Sequence, residues 1–308
     1  MRRRFTLLLL CALIALASGG QAPAGREAAP VRHEFDGAAA FRHLERLVAI
    51  GPRVAGSPEG AKARAYIEAE LRAAGVETRV MPFDALTPHG RLPMANVIGI
   101  VPGKRPDVIM IGGHYDTKWF PNFRFVGAND GGSSAALLLQ LARELAKGSH
   151  EFTYWITFFD GEEARLEWSS KDSLYGSRHL AAELARTARL PRAMILVDMI
   201  GDRNLGIRRE SLSTGWMTDI VWETARRLGH GSHFLDDVLQ VEDDHAPFLR
   251  AGVPATNLID FDYPPWHTAE DTLDKVSPRS LAIVGEVVRE SLPAVEQALL
   301  RGTGGKRP

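Results

Sequence analysis

Cysteine is almost absent from this chain: Cys11 is the only one, and it lies within the first twenty residues. From residue 12 onward a disulfide framework and a thiol nucleophile are therefore excluded. There is also no apolar run of the roughly 20 residues that a membrane-spanning helix needs; the stretch "MRRRFTLLLLCALIALASGG" offers only about a dozen. Charge of one sign is lacking as well, with 37 basic and 38 acidic residues and a formal net charge of −1. Without a basic field, nucleic acid is excluded as a partner. No internal repeat or low-complexity block interrupts the chain.

What is present is a composition 45% hydrophobic and 24% charged, enough to bury one large core. Residues 1–20 have three arginines, an apolar segment and small residues after it, the layout of a secretory signal. The arginine pair before Phe5 is compatible with the twin-arginine route. The reading is a signal peptide at 1–20, an Ala/Pro/Gly linker at 21–34, one catalytic domain at 35–302 and a tail at 303–308. It implies export to the periplasm or beyond, with no stable membrane insertion after cleavage.

Residues 36–50 and 58–74 show helical spacing, the second ending at Gly75. "NVIGIVPG", "DVIMIGGHYDT", "FTYWITFFDGEE", "RAMILVDMIGD" and "VPATNLIDF" are short apolar runs, most of them ending in polar residues. Helical patterns follow Asp130, cover "SRHLAAELAR" and close the chain in "SPRSLAIVGEVVRESLPAVEQALL". Continuous apolar strands separated by helices predict an α/β fold: a three-layer α/β/α arrangement around a twisted, mostly parallel sheet.

In such sheets ligands gather beyond the carboxyl ends of the strands. There the sequence places His114, Asp116, Glu162, Glu163 and Asp198; Asp130 opens a helix, and His267 sits in the loop "PPWHTAEDT". Taken singly each has a bland role: His114 as a hydrogen-bonded core histidine, "DGEE" as an acidic turn, Asp198 as a turn residue. Together they are hard to explain without a cation, because unpaired buried carboxylates are costly. Carboxylate and imidazole ligands suit Zn²⁺. The adjacent glutamates then divide their roles, one binding metal and its neighbour serving as general base.

"GGHYDT", "GANDGGSSAA", "FFDGEE", "DMIGD" and "WHTAEDT", in that order, resemble the zinc aminopeptidase superfamily. "FFDGEEARLEWSSKDSLYGSRHLA", "DDHAPFLRAGVP" and "PPWHT" resemble its glutaminyl cyclase branch more closely. The resemblance implies one zinc held by Asp130, Glu163 and His267, proton transfer by Glu162, and an acidic network of Asp198 and Asp243 around the substrate. It further implies a pocket walled by Trp168 and Trp266, with Phe261 or Tyr263 near a third aromatic position. The sequence departs from the branch in Asn129–Asp130, in the absence of paired cysteines, in Asn257 where relatives can have histidine, and in the loop before "PPWHT".

The implied reaction is cyclisation of an N-terminal glutamine of peptides or proteins to pyroglutamate. The alternative is a dizinc aminopeptidase, since His114, Asp130 and Asp198 form the ligand set of a second ion. A metal-stabilised binding ectodomain would have no use for Glu162, which is intact. Nothing in the sequence speaks to the oligomeric state.

Overall fold

The strands of the central sheet carry the site, so their order decides what meets what. The computed structural model describes residues 34–302. The segments read as signal peptide and C-terminal tail, and nearly all of the linker, lie outside the described residues. Helix α1 (Gly37–Ile50) starts where the Asp36 carboxylate accepts from Ala39 N, and it buries Ala40, Leu44 and Leu47 at helical spacing. Helix α2 (Pro58–Ala73) is capped by Ser57, with proline in its first turn.

Two antiparallel strands follow, β1 (Glu77–Thr87) and β2 (Gly90–Val101). Then come β3 (Arg105–His114), α3 (Gly132–Leu145), β4 (Phe152–Phe159), α4 (Tyr175–Arg186) and β5 (Ala193–Asp198). Past β6 (Ile207–Glu210), α5 (Gly215–Leu228), β7 (Phe234–Leu239) and α6 (Ala246–Arg250), the chain returns to the sheet as β8 (Ala255–Ile259) and closes with α7 (Pro278–Leu300).

The six-stranded sheet has the order β1-β2-β4-β3-β5-β8, and β6 pairs with β7 in a separate ribbon. β3 is parallel to β4 and β5, and β5 to β8, whereas β1–β2 and β2–β4 are antiparallel. The sheet is mostly parallel, as expected, and an antiparallel hairpin added on one edge makes it a mixed one. The sequence reading passed over β1, whose "ETRVMPFDALT" is interrupted by Pro82 and Asp84, residues an edge strand tolerates because part of its backbone faces solvent. It also passed over α5 and the β6–β7 ribbon.

Side-chain alternation divides the core into layers. Ile109 and Ile111 of β3 and Ile195 and Val197 of β5 pack with α1, α2, α3, α5 and α7; Met110, Met194 and Leu196 face α4 and α6 on the other side. Consecutive helices α3 and α4 thus leave opposite faces, and β3, between β4 and β5, marks the point where strand order reverses. This is where a crevice opens in such sheets. Among the described residues no helix is long and apolar enough to cross a membrane.

Candidate active site

His114 and Asp198 are the last residues of β3 and β5, and Glu162 and Glu163 follow β4 after a sharp turn. That turn is built by Asp160, whose carboxylate accepts from Ala95 N while its own N–H donates to the Asn96 amide oxygen. Gly161 has φ +70°, and the Glu162 carbonyl accepts from Leu174 N just before α4. Glu162 N donates to Asp116 Oδ1 at 3.1 Å. Both glutamates are buried, although their charges oppose one another.

Asp130 reaches the same place from the loop before α3. The Asp271 carboxylate fixes it by accepting from Asn129 N (2.8 Å) and Asp130 N (3.1 Å), and Tyr263 Oη donates to Asp271 as well. Gly131, at φ +73°, lets the chain pass the His114 ring: a Cβ there would lie 2.4 Å from Asp116 O and 2.9 Å from His114 Cε1. Arg53, fully buried, donates to the carbonyls of Tyr115, Val126 and Gly127 and so shapes the approach to Asp130. His267 and Met199, the residue after Asp198, both hold positive φ without being glycine, a strain that persists only where surroundings enforce it.

Two triads result, and Asp130 is shared between them. His267 Nε2 lies 3.3 Å from Asp130 Oδ2 and 3.3 Å from Glu163 Oε1. His114 Nε2 lies 3.3 Å from Asp130 Oδ1 and 3.1 Å from Asp198 Oδ1. Within each triad the donor atoms are all within 4.8 Å of one another. Bond lengths of 2.0–2.2 Å around a tetrahedral ion put neighbouring ligand atoms about 3.3–3.6 Å apart, so the spacing in the Asp130–Glu163–His267 group suits a metal such as zinc. Asp130 Oδ2 is buried and makes no hydrogen bond although His267 Nε2 is near it, as expected of an atom built to face a cation.

The electrostatics agree. Burial would lower the pKa of His267, but the carboxylates of Asp130 and Glu163 beside its ring outweigh it and raise it to about 9. Burial, and then the charge of Asp130, push Glu163 up to about 7 despite His267 and Lys118. Glu162 is driven well above its ordinary value, first by burial and then by Glu163, Asp243 and Asp244, with His114 opposing. Burial and the charge of Asp198 raise Asp243 to about 6. The cluster carries more negative charge than its two imidazoles balance, which is a demand for a cation.

Asp130, Glu162, Glu163, Asp198, Asp243 and His267 line one cavity of about 420 Å³, and Trp168, Phe261 and Trp266 form part of its wall. This arrangement has relatives. The model of peptidase family M28 matches residues 96–292. The chain belongs to peptidase family M28, and within it to the glutaminyl cyclase branch. The glutaminyl-peptide cyclotransferase-like protein of Bos taurus is 34% identical over 73% of this chain and 67% of its own. The crystal structure of an Acidobacteriales bacterium glutaminyl cyclase is 40% identical, with a TM-score of 0.82, covering 90% of this chain and 99% of that one. A leucine aminopeptidase precursor from Bacteroides thetaiotaomicron is 26% identical, with a TM-score of 0.79 over 84% of this chain and 97% of that one.

Within this M28 frame the aromatic residues separate. Trp168, Phe261 and Trp266 are each about 40% exposed, and Trp266 stacks on His267 at 4.1 Å and tilts against Phe261 at 4.8 Å. Tyr263, the alternative to Phe261, turns away from the cavity: it is buried with Met199 and Ile259, and its hydroxyl serves Asp271. Asp243 Oδ2 accepts from Asn257 Nδ2 at 2.8 Å, so the asparagine that departs from the branch still holds that carboxylate.

Sequence reasoning missed Arg53, Asp271 and Asp172. Asp172 anchors the loop bearing Leu166 and Trp168 by accepting from the N–H groups of Arg165, Leu166 and Glu167 and from Tyr175 Oη. Asp271 lies inside the quoted "WHTAEDT" and Asp172 inside "SSKDSLYG", so the signal was present, but an aspartate reads equally well as a turn residue until its partners are known.

Proposed function

We propose that this chain is a zinc-dependent glutaminyl-peptide cyclotransferase, acting on peptides or proteins with N-terminal glutamine and releasing ammonia. Its N-terminal twenty residues read as an export signal, so its place is the periplasm or the exterior, and residues 35–302 form its one catalytic domain. The observation that carries the reading is the aromatic-walled cavity over a metal-competent triad, with Glu162 beside it.

Asp130, Glu163 and His267 would hold the zinc. When bound, it supplies a Lewis acid to the γ-amide carbonyl of the substrate. Asp198 and Asp243 accept hydrogen bonds from the substrate amine and orient it. Glu162 takes one proton from that amine as its nitrogen forms the bond to the amide carbon. The bond from that carbon to the amide nitrogen breaks, and Glu162 returns the proton to the departing ammonia. A buried carboxylate flanked by acidic neighbours retains a proton long enough to act as base and then as acid. Because the nucleophile belongs to the substrate, ring closure needs positioning more than activation. Trp168, Trp266 and Phe261 restrict the pose and keep water out.

One observation favours a second reading, a dizinc aminopeptidase: Asp130 presents one oxygen to each triad, the arrangement of a bridging ligand. Two measurements separate them. Incubation with a Gln-initiated peptide should give loss of ammonia by mass spectrometry, and aminoacyl arylamides should stay intact. Protein never exposed to added metal should contain one zinc per chain; chelation should abolish activity and one equivalent should restore it. A requirement for two equivalents, with release of residues, would establish the aminopeptidase.

Trp168→Ala should raise KM for a short Gln substrate about tenfold with little change in melting temperature, since the indole is exposed and contributes little to the core. A fall in melting temperature with normal kinetics would assign Trp168 to folding alone.

A further inference from the structure

Most large apolar side chains exposed among the described residues lie on one side of the molecule: Leu166, Trp168, Phe261 and Trp266 on the active-site cavity, Trp119 and Phe123 on its neighbour. Contiguous exposed apolar surface marks a site of interaction. The neighbouring cleft, of about 670 Å³, is larger than the active-site cavity and adjoins it: Lys118 lines both, and the consecutive residues Arg165 and Leu166 line one each. Phe120 forms a further link, its ring edge-on to His267 at 5.6 Å and stacked on Phe123 at 4.5 Å.

The charges of the cleft are unbalanced. Arg124 and Arg165 have no carboxylate within ion-pair distance among the described residues, and Arg165 Nε is buried without a hydrogen-bond partner. The side chain's hydrogen bond is a long one, Nη1 to Ala55 O at 3.4 Å. Glu59, the acid in the lining, is paired with Lys62. An unpaired guanidinium beside an aromatic stack suits a ligand that brings a carboxylate and a large apolar group together.

We propose that this cleft is an extended subsite for the peptide chain downstream of the substrate's second residue, favouring sequences with an aromatic or large apolar residue and an acidic one. The inference rests on the cyclase reading, which puts the N-terminal glutamine in the smaller cavity and leaves the rest of the peptide to emerge along the boundary the two cavities share. Continuity with that cavity and the excess of unpaired cationic charge favour this occupant over a second copy of the chain.

The test compares Gln-Ala amide with Gln-Ala-Gly-Phe-Asp-Gly, using the full zinc-loaded chain. Wild type should turn over the hexapeptide with a kcat/KM about tenfold higher, the gain residing in KM, and replacing its Asp by Lys should remove most of that gain. Trp119→Ala and Arg124→Glu should each erase the advantage while leaving Gln-Ala amide within twofold of wild type. Calorimetry should show the pyroglutamyl hexapeptide binding correspondingly more weakly to both variants. Equal kcat/KM for the two substrates, or variants that retain the advantage, would overturn the subsite. So would a concentration-dependent dimer lost in Trp119→Ala with unchanged peptide kinetics, which would give the surface to a second copy. No turnover of Gln-Ala amide by wild type would overturn the cyclase reading, and the subsite with it.

Discussion

Glu162→Gln protein should keep its zinc near one equivalent and lose kcat by 10²-fold or more, whereas Glu163→Gln should lose zinc and regain part of its activity when zinc is added in excess. The two side chains are neighbours in sequence, equally buried and almost isosteric with their replacements, so packing cannot distinguish them. Geometry does. Glu163 Oε1 stands at the spacing of a ligand atom from His267 Nε2, while Glu162 belongs to neither triad and lines the cavity. The amide at 162 preserves shape but cannot accept the substrate's proton, and general acid–base catalysis is worth about 10²–10⁴-fold. The amide at 163 removes a charge that the ion needs, while the carbonyl oxygen remains as a weak ligand. Zinc content by elemental analysis, measured beside kcat and KM, checks both. Equal zinc loss in the two variants, or an active Glu162→Gln, would mean that the roles are assigned wrongly.

Arg53→Ala should unfold the protein more readily than any substitution at the cavity, by about 3–5 kcal/mol, a fall in melting temperature of roughly 10 °C. Its guanidinium is completely buried and satisfies the carbonyls of Tyr115, Val126 and Gly127 at 2.9, 2.7 and 2.8 Å. Burial lowers its pKa to about 10, with Asp271, Asp116 and Asp130 opposing the loss of charge, so it stays cationic at neutral pH. Truncation leaves the Tyr115 and Val126 carbonyls without the donor that Arg53 supplies and Gly127 with only that of Gly132 N, a cavity in their midst and the nearby carboxylates without their counter-charge. Arg53→Lys should recover only part, because one ammonium cannot reproduce the fork that spans these carbonyls. Since Val126 and Gly127 lead into Asp130, zinc affinity should fall in the folded fraction too. Thermal melts by circular dichroism, with and without zinc, measure both; a melting temperature within 2 °C of wild type would count against this role.

Much of the architecture was legible from local pattern. The apolar runs ending at His114, Asp198 and the Glu162–Glu163 pair marked three central strands and the edge of the sheet where a ligand belongs, because burial on both faces forces continuous hydrophobicity and leaves the charges to the strand ends. The first two helices and the glycine at 75 were equally readable, since helical periodicity and a C-terminal glycine are local signals. The residue types at the site, only Asp, Glu and His, already implied a cation.

Tertiary structure alone decided the rest, wherever a residue's role depends on partners far along the chain. That Asp130 turns one oxygen to His267 and the other to His114 required two loops and the end of β3 to be brought together. Arg53 looked like any loop arginine until the carbonyls of Tyr115, Val126 and Gly127 closed around it, and Asp271 looked like a turn aspartate until it received the backbone of Asn129 and Asp130. Phe261 and Tyr263 are two residues apart, and the fold sends one to the cavity wall and the other under it. β1 joined the sheet through an eleven-residue register with β2, a pairing whose cross-strand energy no local propensity contains. Short-range hydrogen bonds and periodic burial are written into neighbouring residues; long-range convergence is a property of the closed chain.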